Sequence, residues 1–188
     1  MEETKLAVLV PGIGYHRDKP LLYYATKLLK SEGYAVKHIE FHDLPGNIKG
    51  DAAMMQVAAE MAFSQMEEQL REVDFADYSQ LLFVGKSIGT VASAKFVVTR
   101  KLAAKQIWYT PLERTFDYDA GEVSAFVGDA DPWSDINRIR KLAERTGVRL
   151  FTYEKCNHSL ETGDVETDIN TLREVMKLTY RTIAGTEK

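Results

Sequence analysis

Ser87 stands in the run Gly85-Lys86-Ser87-Ile88-Gly89. Gly-Lys-Ser closes a phosphate-binding loop, and Gly-x-Ser-x-Gly presents the nucleophile of a serine hydrolase. The two readings need different neighbours. A phosphate loop needs glycine five positions before Gly85, and Gln80 stands there. The residues between, Leu81-Leu82-Phe83-Val84, read as a buried strand and leave no room for a cradle of backbone N–H groups. A nucleophile elbow needs an apolar strand directly before it and a helix directly after it. It also needs small residues two before and two after the serine, so that strand and helix can approach. Gly85 and Gly89 meet that need, and Ala92 and Ser93 keep the next turn small.

A serine hydroxyl is a weak nucleophile and needs a base. The chain has four histidines. His38 lies in an apolar run and His42 just after it, and both read as structural. His158, in Cys156-Asn157-His158-Ser159-Leu160-Glu161, follows the last apolar run and lies C-terminal to Ser87. His16, in the loop after the first run, is the reserve candidate. The base in turn needs a carboxylate to hold its tautomer. Val127-Gly128-Asp129-Ala130-Asp131-Pro132-Trp133 supplies two, Asp129 and Asp131, one of which reads as a turn or cap residue.

Positioning these groups requires a scaffold. Six short apolar runs, 6–10, 34–41, 81–84, 106–110, 123–127 and 148–153, have the length and the β-branched and aromatic content of strands. Helix-length segments separate them. Leu21, Leu22, Ala25, Leu28 and Leu29 share one helical face, with Asp18 as cap, Pro20 in the first turn and Gly33 as terminator. Asp51 caps a long helix to about Glu72. Its methionines, Met54, Met55, Met61 and Met66, read as core. A third helix follows Ser87, and a fourth runs from about Ser134 to Arg145 and stops at Gly147. The last carries Ile169, Leu172, Val175, Met176 and Ile183 on one stripe, with Thr167 or Asp168 as cap. Such alternation predicts an α/β fold, a three-layer α/β/α sandwich around a six-stranded, mainly parallel, doubly wound sheet. Ligands in such sheets bind beyond the carboxyl ends of the strands.

A chain of 188 residues predicts one domain spanning 1–188, able to bury roughly 70% of its unfolded surface. Apolar residues make up 45% and charged residues 28%, with a formal charge of −4 and no basic run. That argues against nucleic acid and anionic membrane as partners. The single cysteine, Cys156, excludes an internal disulfide and suits a reducing compartment. The N-terminal apolar run of five residues is too short for a signal peptide or a membrane span, so the expectation is a cytoplasmic protein. Gly12 and Gly14 could begin a dinucleotide fingerprint, but Arg17 stands at the third glycine. No cofactor and no metal are expected, and oligomeric state is left open.

Strand, Gly-x-Ser-x-Gly and helix, then Gly128-Asp129-Ala130-Asp131-Pro132, then Asn157-His158-Ser159-Leu160-Glu161, resemble the α/β-hydrolase superfamily over nearly the whole chain. The serine, acid, histidine order is that family's order. The resemblance implies Asp131 as the acid, three residues after the strand-end glycine, with Ser87 as nucleophile and His158 as base. It implies an oxyanion hole from the N–H of Ile88 and, by likeness of Pro11-Gly12-Ile13-Gly14-Tyr15 to a His-Gly-x-Gly loop, the N–H of Ile13. Pro11 departs from that pattern where histidine is usual. Gly12, Tyr15, Lys86 and Trp133 become candidate substrate contacts, although Lys86 also reads as a solvated lysine. The family's two N-terminal strands are absent, and only 12 residues, 111–122, separate the fourth and fifth runs. A minimal fold without a cap domain follows, with Phe116 and Tyr118 either touching substrate or packing on the sheet edge. The implied activity is hydrolysis of a small or medium carboxylic ester or thioester through an acyl-enzyme. A non-catalytic scaffold, or acyl transfer or lyase chemistry on the same fold, are the alternatives.

Overall fold

The computed structural model describes residues 4–186. Strands β1 (Lys5–Val10), β2 (Ala35–His38), β3 (Gln80–Lys86), β4 (Ala104–Tyr109), β5 (Val123–Gly128) and β6 (Arg149–Tyr153) form one sheet. Its order is β2-β1-β3-β4-β5-β6, and every neighbouring pair is parallel. The five helices are α1 (Pro20–Ser31), α2 (Ala52–Leu70), α3 (Ile88–Thr99), α4 (Ile136–Thr146) and α5 (Val165–Ala184).

Alternation along each strand sorts the core into two faces. Ala7, Leu9, Leu82, Val84, Ile107, Tyr109 and Phe126 point to α1 and α5, where Leu21, Leu22, Ala25, Leu29, Val175 and Ile183 meet them. Leu6, Val8, Val10 and Phe83 point the other way, against Ala62, Met66 and Leu70 of α2 and Ala92, Phe96 and Val97 of α3. Further along that face Ile139 and Ala143 of α4 pack on Trp108, Ala125 and Val127. Helices therefore cover both faces of a sheet whose strands are apolar on both sides, as an all-parallel sheet requires.

Four local expectations are corrected. Lys19, not Asp18, is the N-cap of α1, because Pro20 already occupies its first turn. Asp18 instead pairs with His16 at 3.5 Å. Helix α5 begins earlier than expected: Asp164 caps it through Thr167 N–H. Asp168 reaches back from the first turn to the N–H groups of Thr162 and Gly163. The second strand stops at His38, and its continuation is held by Gln69 and Gln65 of α2, which bond the backbones of Glu40 and His42. Of the α2 methionines only Met66 is core; Met54 is exposed.

Between β4 and β5 the chain makes one 3-10 turn, Glu113–Asp117. Phe116 there is buried edge-on against Trp108, with ring centroids 5.4 Å apart, so it packs and does not face a site. Thr115 on the same turn bonds Thr90 of α3, hydroxyl to hydroxyl, at 2.6 Å.

Candidate active site

β3 runs into α3 with a single residue between them, Ser87. Its backbone is held at φ 54°, ψ −124°, a geometry costly for a residue with a side chain. The elbow is locked by what lies around it. A Cβ on Gly85 would come within 2.8 Å of the Thr90 Cα, and one on Gly89 would overlap the carbonyl oxygens of Val10 and Pro11. Glycine is required at both places because backbone, not a movable side chain, fills the space. Ser87 N–H donates to the Tyr109 carbonyl at 3.0 Å, tying the elbow to β4.

Asp131 and His158 arrive on the next two loops. After β5, Gly128 packs so tightly on the Cys156 carbonyl that no side chain could replace its hydrogen. Asp129 leaves that turn to accept from Lys155 N–H at 2.6 Å, which joins the two loops. Asp131 turns inward, its side chain fully buried. One carboxylate oxygen accepts from Trp133 N–H at 2.9 Å. The other lies 2.7 Å from His158 Nδ1. After β6, Asn157 folds the chain back on itself, accepting from Ser159 and Glu161 N–H, and Leu160 adopts φ 61°. This tight turn aims His158 at the elbow, with Nε2 2.8 Å from Ser87 Oγ. A carboxylate can only accept, so Nδ1 carries the proton and Nε2 is the acceptor facing the serine hydroxyl.

The structure thus brings Ser87, His158 and Asp131 into one connected chain of hydrogen bonds. His16 is exposed and paired with Asp18. His38, half-buried with Nδ1 unpartnered among the described residues, and His42 lie on the far side of β1. Burial is the largest influence on His158 and pushes its pKa below the usual 6.5; the Asp131 hydrogen bond opposes that shift and the charge of Lys86 adds to it.

Two backbone N–H groups lie on the segments next to the serine. Ile88 is the first residue of α3, where N–H groups lack helical partners. Ile13 stands in a turn closed by reciprocal bonds between Gly12 and Tyr15, 3.2 and 3.3 Å. Neither Ile13 nor Ile88 N–H donates to a backbone carbonyl among the described residues. Gly12 brings that turn onto the elbow: a Cβ there would lie 3.1 Å from the Ser87 Cβ.

A pocket of about 590 Å³ adjoins the elbow. Its apolar lining comes from Met55 and Ala59 of α2, Ile88 and Val91 of α3, Leu112 after β4, and Trp133. The Trp133 ring also lies 5.5 Å from the His158 ring, tilted by 31°. Of the four expected substrate contacts, Trp133 lines this pocket, whereas Gly12, Tyr15 and Lys86 do not. Lys86 departs most from expectation. It is not solvated: it is 1% exposed, and its ammonium lies 4.8 Å over the Tyr15 ring. As the last residue of β3 it shares the inward face of Leu82 and Val84, and strand alternation carries it into the core. The α2 contribution, Met55 and Ala59, was missed because no motif marks the approach of that helix to the site.

No protein-family model matches the chain, and no curated protein does either. Solved structures match along almost its whole length. Dienelactone hydrolase of Anabaena variabilis superposes with a TM-score of 0.70 at 16% identity, over 98% of this chain and 87% of that one. An esterase of Pyrococcus furiosus gives 0.69 at 12% identity, over 97% and 83%. A putative α/β-superfamily hydrolase of Xanthomonas campestris gives 0.63 at 13% identity, over 93% and 97%. The fold is that of the α/β hydrolases, in a compact six-stranded form.

Proposed function

We propose that the protein is a serine hydrolase acting on small or medium carboxylic esters or thioesters. The observation that carries this reading is the relay of 2.8 Å from Ser87 Oγ to His158 Nε2 and 2.7 Å from His158 Nδ1 to Asp131. Its members come from three separate loops, and nothing in local folding demands that they meet. Likeness of fold to esterases and a dienelactone hydrolase agrees with the reading.

The reaction follows from the geometry. Ser87 Oγ attacks the carbonyl carbon while His158 Nε2 takes its proton. Asp131 stabilises the imidazolium that forms and keeps the ring aligned. The negative charge developing on the carbonyl oxygen is received by the N–H groups of Ile88 and Ile13. The tetrahedral adduct collapses, His158 returns the proton to the departing alcohol or thiol, and Ser87 is left acylated. Water, deprotonated by His158, attacks the acyl-enzyme, and the carboxylic acid leaves as Ser87 regains its proton. The apolar pocket beside Trp133 holds the organic part of the substrate.

A fluorophosphonate probe tests the reading. The native protein should be labelled at Ser87, and hydrolysis of p-nitrophenyl acetate should fall on the order of 10⁶-fold in Ser87→Ala if the parent is proficient. A native protein that neither takes the label nor hydrolyses any ester of a chain-length panel is a scaffold and not an enzyme. Product analysis with an added alcohol or amine acceptor separates hydrolysis from acyl transfer.

A further inference from the structure

Lys86 is a lysine in an unusual place. It is 1% exposed, and no carboxylate lies within ion-pair distance of its ammonium among the described residues. A buried, unpaired cation is costly, and a core position next to a nucleophile would be filled more cheaply by an apolar residue. What the ammonium does touch is the face of Tyr15, 4.8 Å from the ring centroid. Tyr15 closes the Gly12–Tyr15 turn, and its hydroxyl accepts from the Leu21 N–H at 3.1 Å, at the start of α1. The lysine stem runs under the same turn: a Cβ on Gly12 would sit 3.5 Å from Lys86 Cγ and 3.2 Å from its carbonyl oxygen. The residue before the nucleophile is therefore bolted to the turn that carries Ile13.

We propose that Lys86 is a positioning residue whose buried ammonium, seated on the Tyr15 ring, pins the Gly12–Tyr15 turn to the Ser87 elbow and so places the Ile13 N–H for the oxyanion. This rests on the hydrolase reading above. Cation–π attraction strengthens when the cation is desolvated, as here. The charge also acts on the relay, since Lys86 opposes protonation of His158 and is itself favoured by Asp131.

Of the groups acting on Lys86 and its ring partner, Asp131 favours its charge and His158 is coupled to it, while the neighbouring tyrosines carry no charge near neutrality. Tyr15 is pushed up to about 12 by burial, and burial also raises Tyr109 on β4 and Tyr153 on β6, so all three stay neutral. Glu161 acts on Tyr15 from the His158 loop. Burial brings Lys86 itself down to about 7. The clamped form is the ammonium, so it is lost as pH rises through about 7, and turnover should carry an alkaline limb there. Folding lowers this pKa from 10.5, so the group subtracts stability at and below pH 7, and that cost fades as pH rises towards 10.5.

The test is Lys86→Met, which keeps the stem and removes the charge. Loss of placement should lower kcat about 10- to 100-fold with little change in KM. The alkaline limb should vanish, and Tm at pH 7 should rise. Tyr15→Leu should lower kcat similarly, and the double variant should lose no more than either single one. Parental kcat in Lys86→Met, or a fall of Tm together with kcat, would overturn the proposal by making the lysine dispensable or merely structural. If Lys86→Met does not fold, Tyr15→Leu decides: reduced kcat without the alkaline limb supports the clamp, and parental kcat refutes it. Fluorophosphonate labelling of the parent keeps the two claims apart. An unlabelled parent defeats the hydrolase reading, whereas a labelled parent with parental kcat in Lys86→Met defeats the clamp alone.

Discussion

Trp133 serves Asp131 with its backbone and His158 with its ring. Its N–H donates 2.9 Å to the carboxylate oxygen turned away from the imidazole, while its indole lies 5.5 Å from that imidazole. One residue thus holds Asp131 and walls His158, and it also lines the adjoining pocket. The two roles separate on mutation, because only the ring is lost in Trp133→Ala.

Trp133→Ala should therefore raise KM for esters with bulky acyl groups about 10-fold or more, since the aromatic surface that the substrate would cover is lost. The Asp131 hydrogen bond survives, so kcat should change less. Steady-state kinetics over acetate, butyrate and octanoate esters checks this. Equal effects on all three chain lengths would remove Trp133 from the pocket wall.

Asp131→Asn keeps an acceptor for Trp133 N–H but can present its amide to Nδ1 and stabilise the wrong tautomer. Turnover should fall about 10⁴-fold with the fold intact. Asp129→Asn should cost far less, because among the described residues the Asp129 carboxylate bonds the Lys155 N–H and not His158. Reversal of that ranking would place the acid at Asp129.

The acid limb of kcat/KM should have its midpoint below pH 6.5. Burial lowers the His158 pKa, so the ring remains neutral and able to accept the serine proton at pH 6.5 and somewhat below. The same shift bears on stability. The folded chain binds this proton more weakly than the unfolded one, so stability declines as pH falls from 6.5 and levels off below the folded pKa. A pH–rate profile paired with urea titrations reads both, and an acid midpoint above 6.5 contradicts the assignment.

Gly128→Ala forces a methyl group into the Cys156 carbonyl. Two backbone segments must part, and both carry residues of the relay. The expected destabilisation is about 2–4 kcal/mol in urea unfolding, with loss of activity. Gly14→Ala, where a Cβ meets no atom within 4 Å, should show only the smaller strain of its φ of +70°.

Cys156 should be silent towards thiol reagents in the native state. It is 1% exposed, and burial raises its pKa, so little thiolate forms. Iodoacetamide should leave ester hydrolysis intact, and inactivation under native conditions would make the thiol a participant.

The sequence by itself determined the strands, the helices that separate them and the elbow. These are local matters: apolar runs of strand length, helical periodicity, and glycines flanking a serine between strand and helix. That Ser87, the Asp129–Asp131 loop and the His158 loop share one edge was legible too, because in a parallel sheet every strand's carboxyl end faces the same edge. Choosing Asp131 over Asp129 needed likeness to a known family, since two carboxylates on one loop differ only in which way the backbone turns them. Tertiary structure alone decided what lies beneath that edge. Whether Lys86 meets water or the ring of Tyr15 depends on strand register and on a turn 71 residues away (86 − 15). The same holds for Met55 and Ala59, which reach the pocket only because α2 packs across α3. Local pattern sets which way a side chain points; packing sets what it meets, and the chemistry of a buried charge depends on the second.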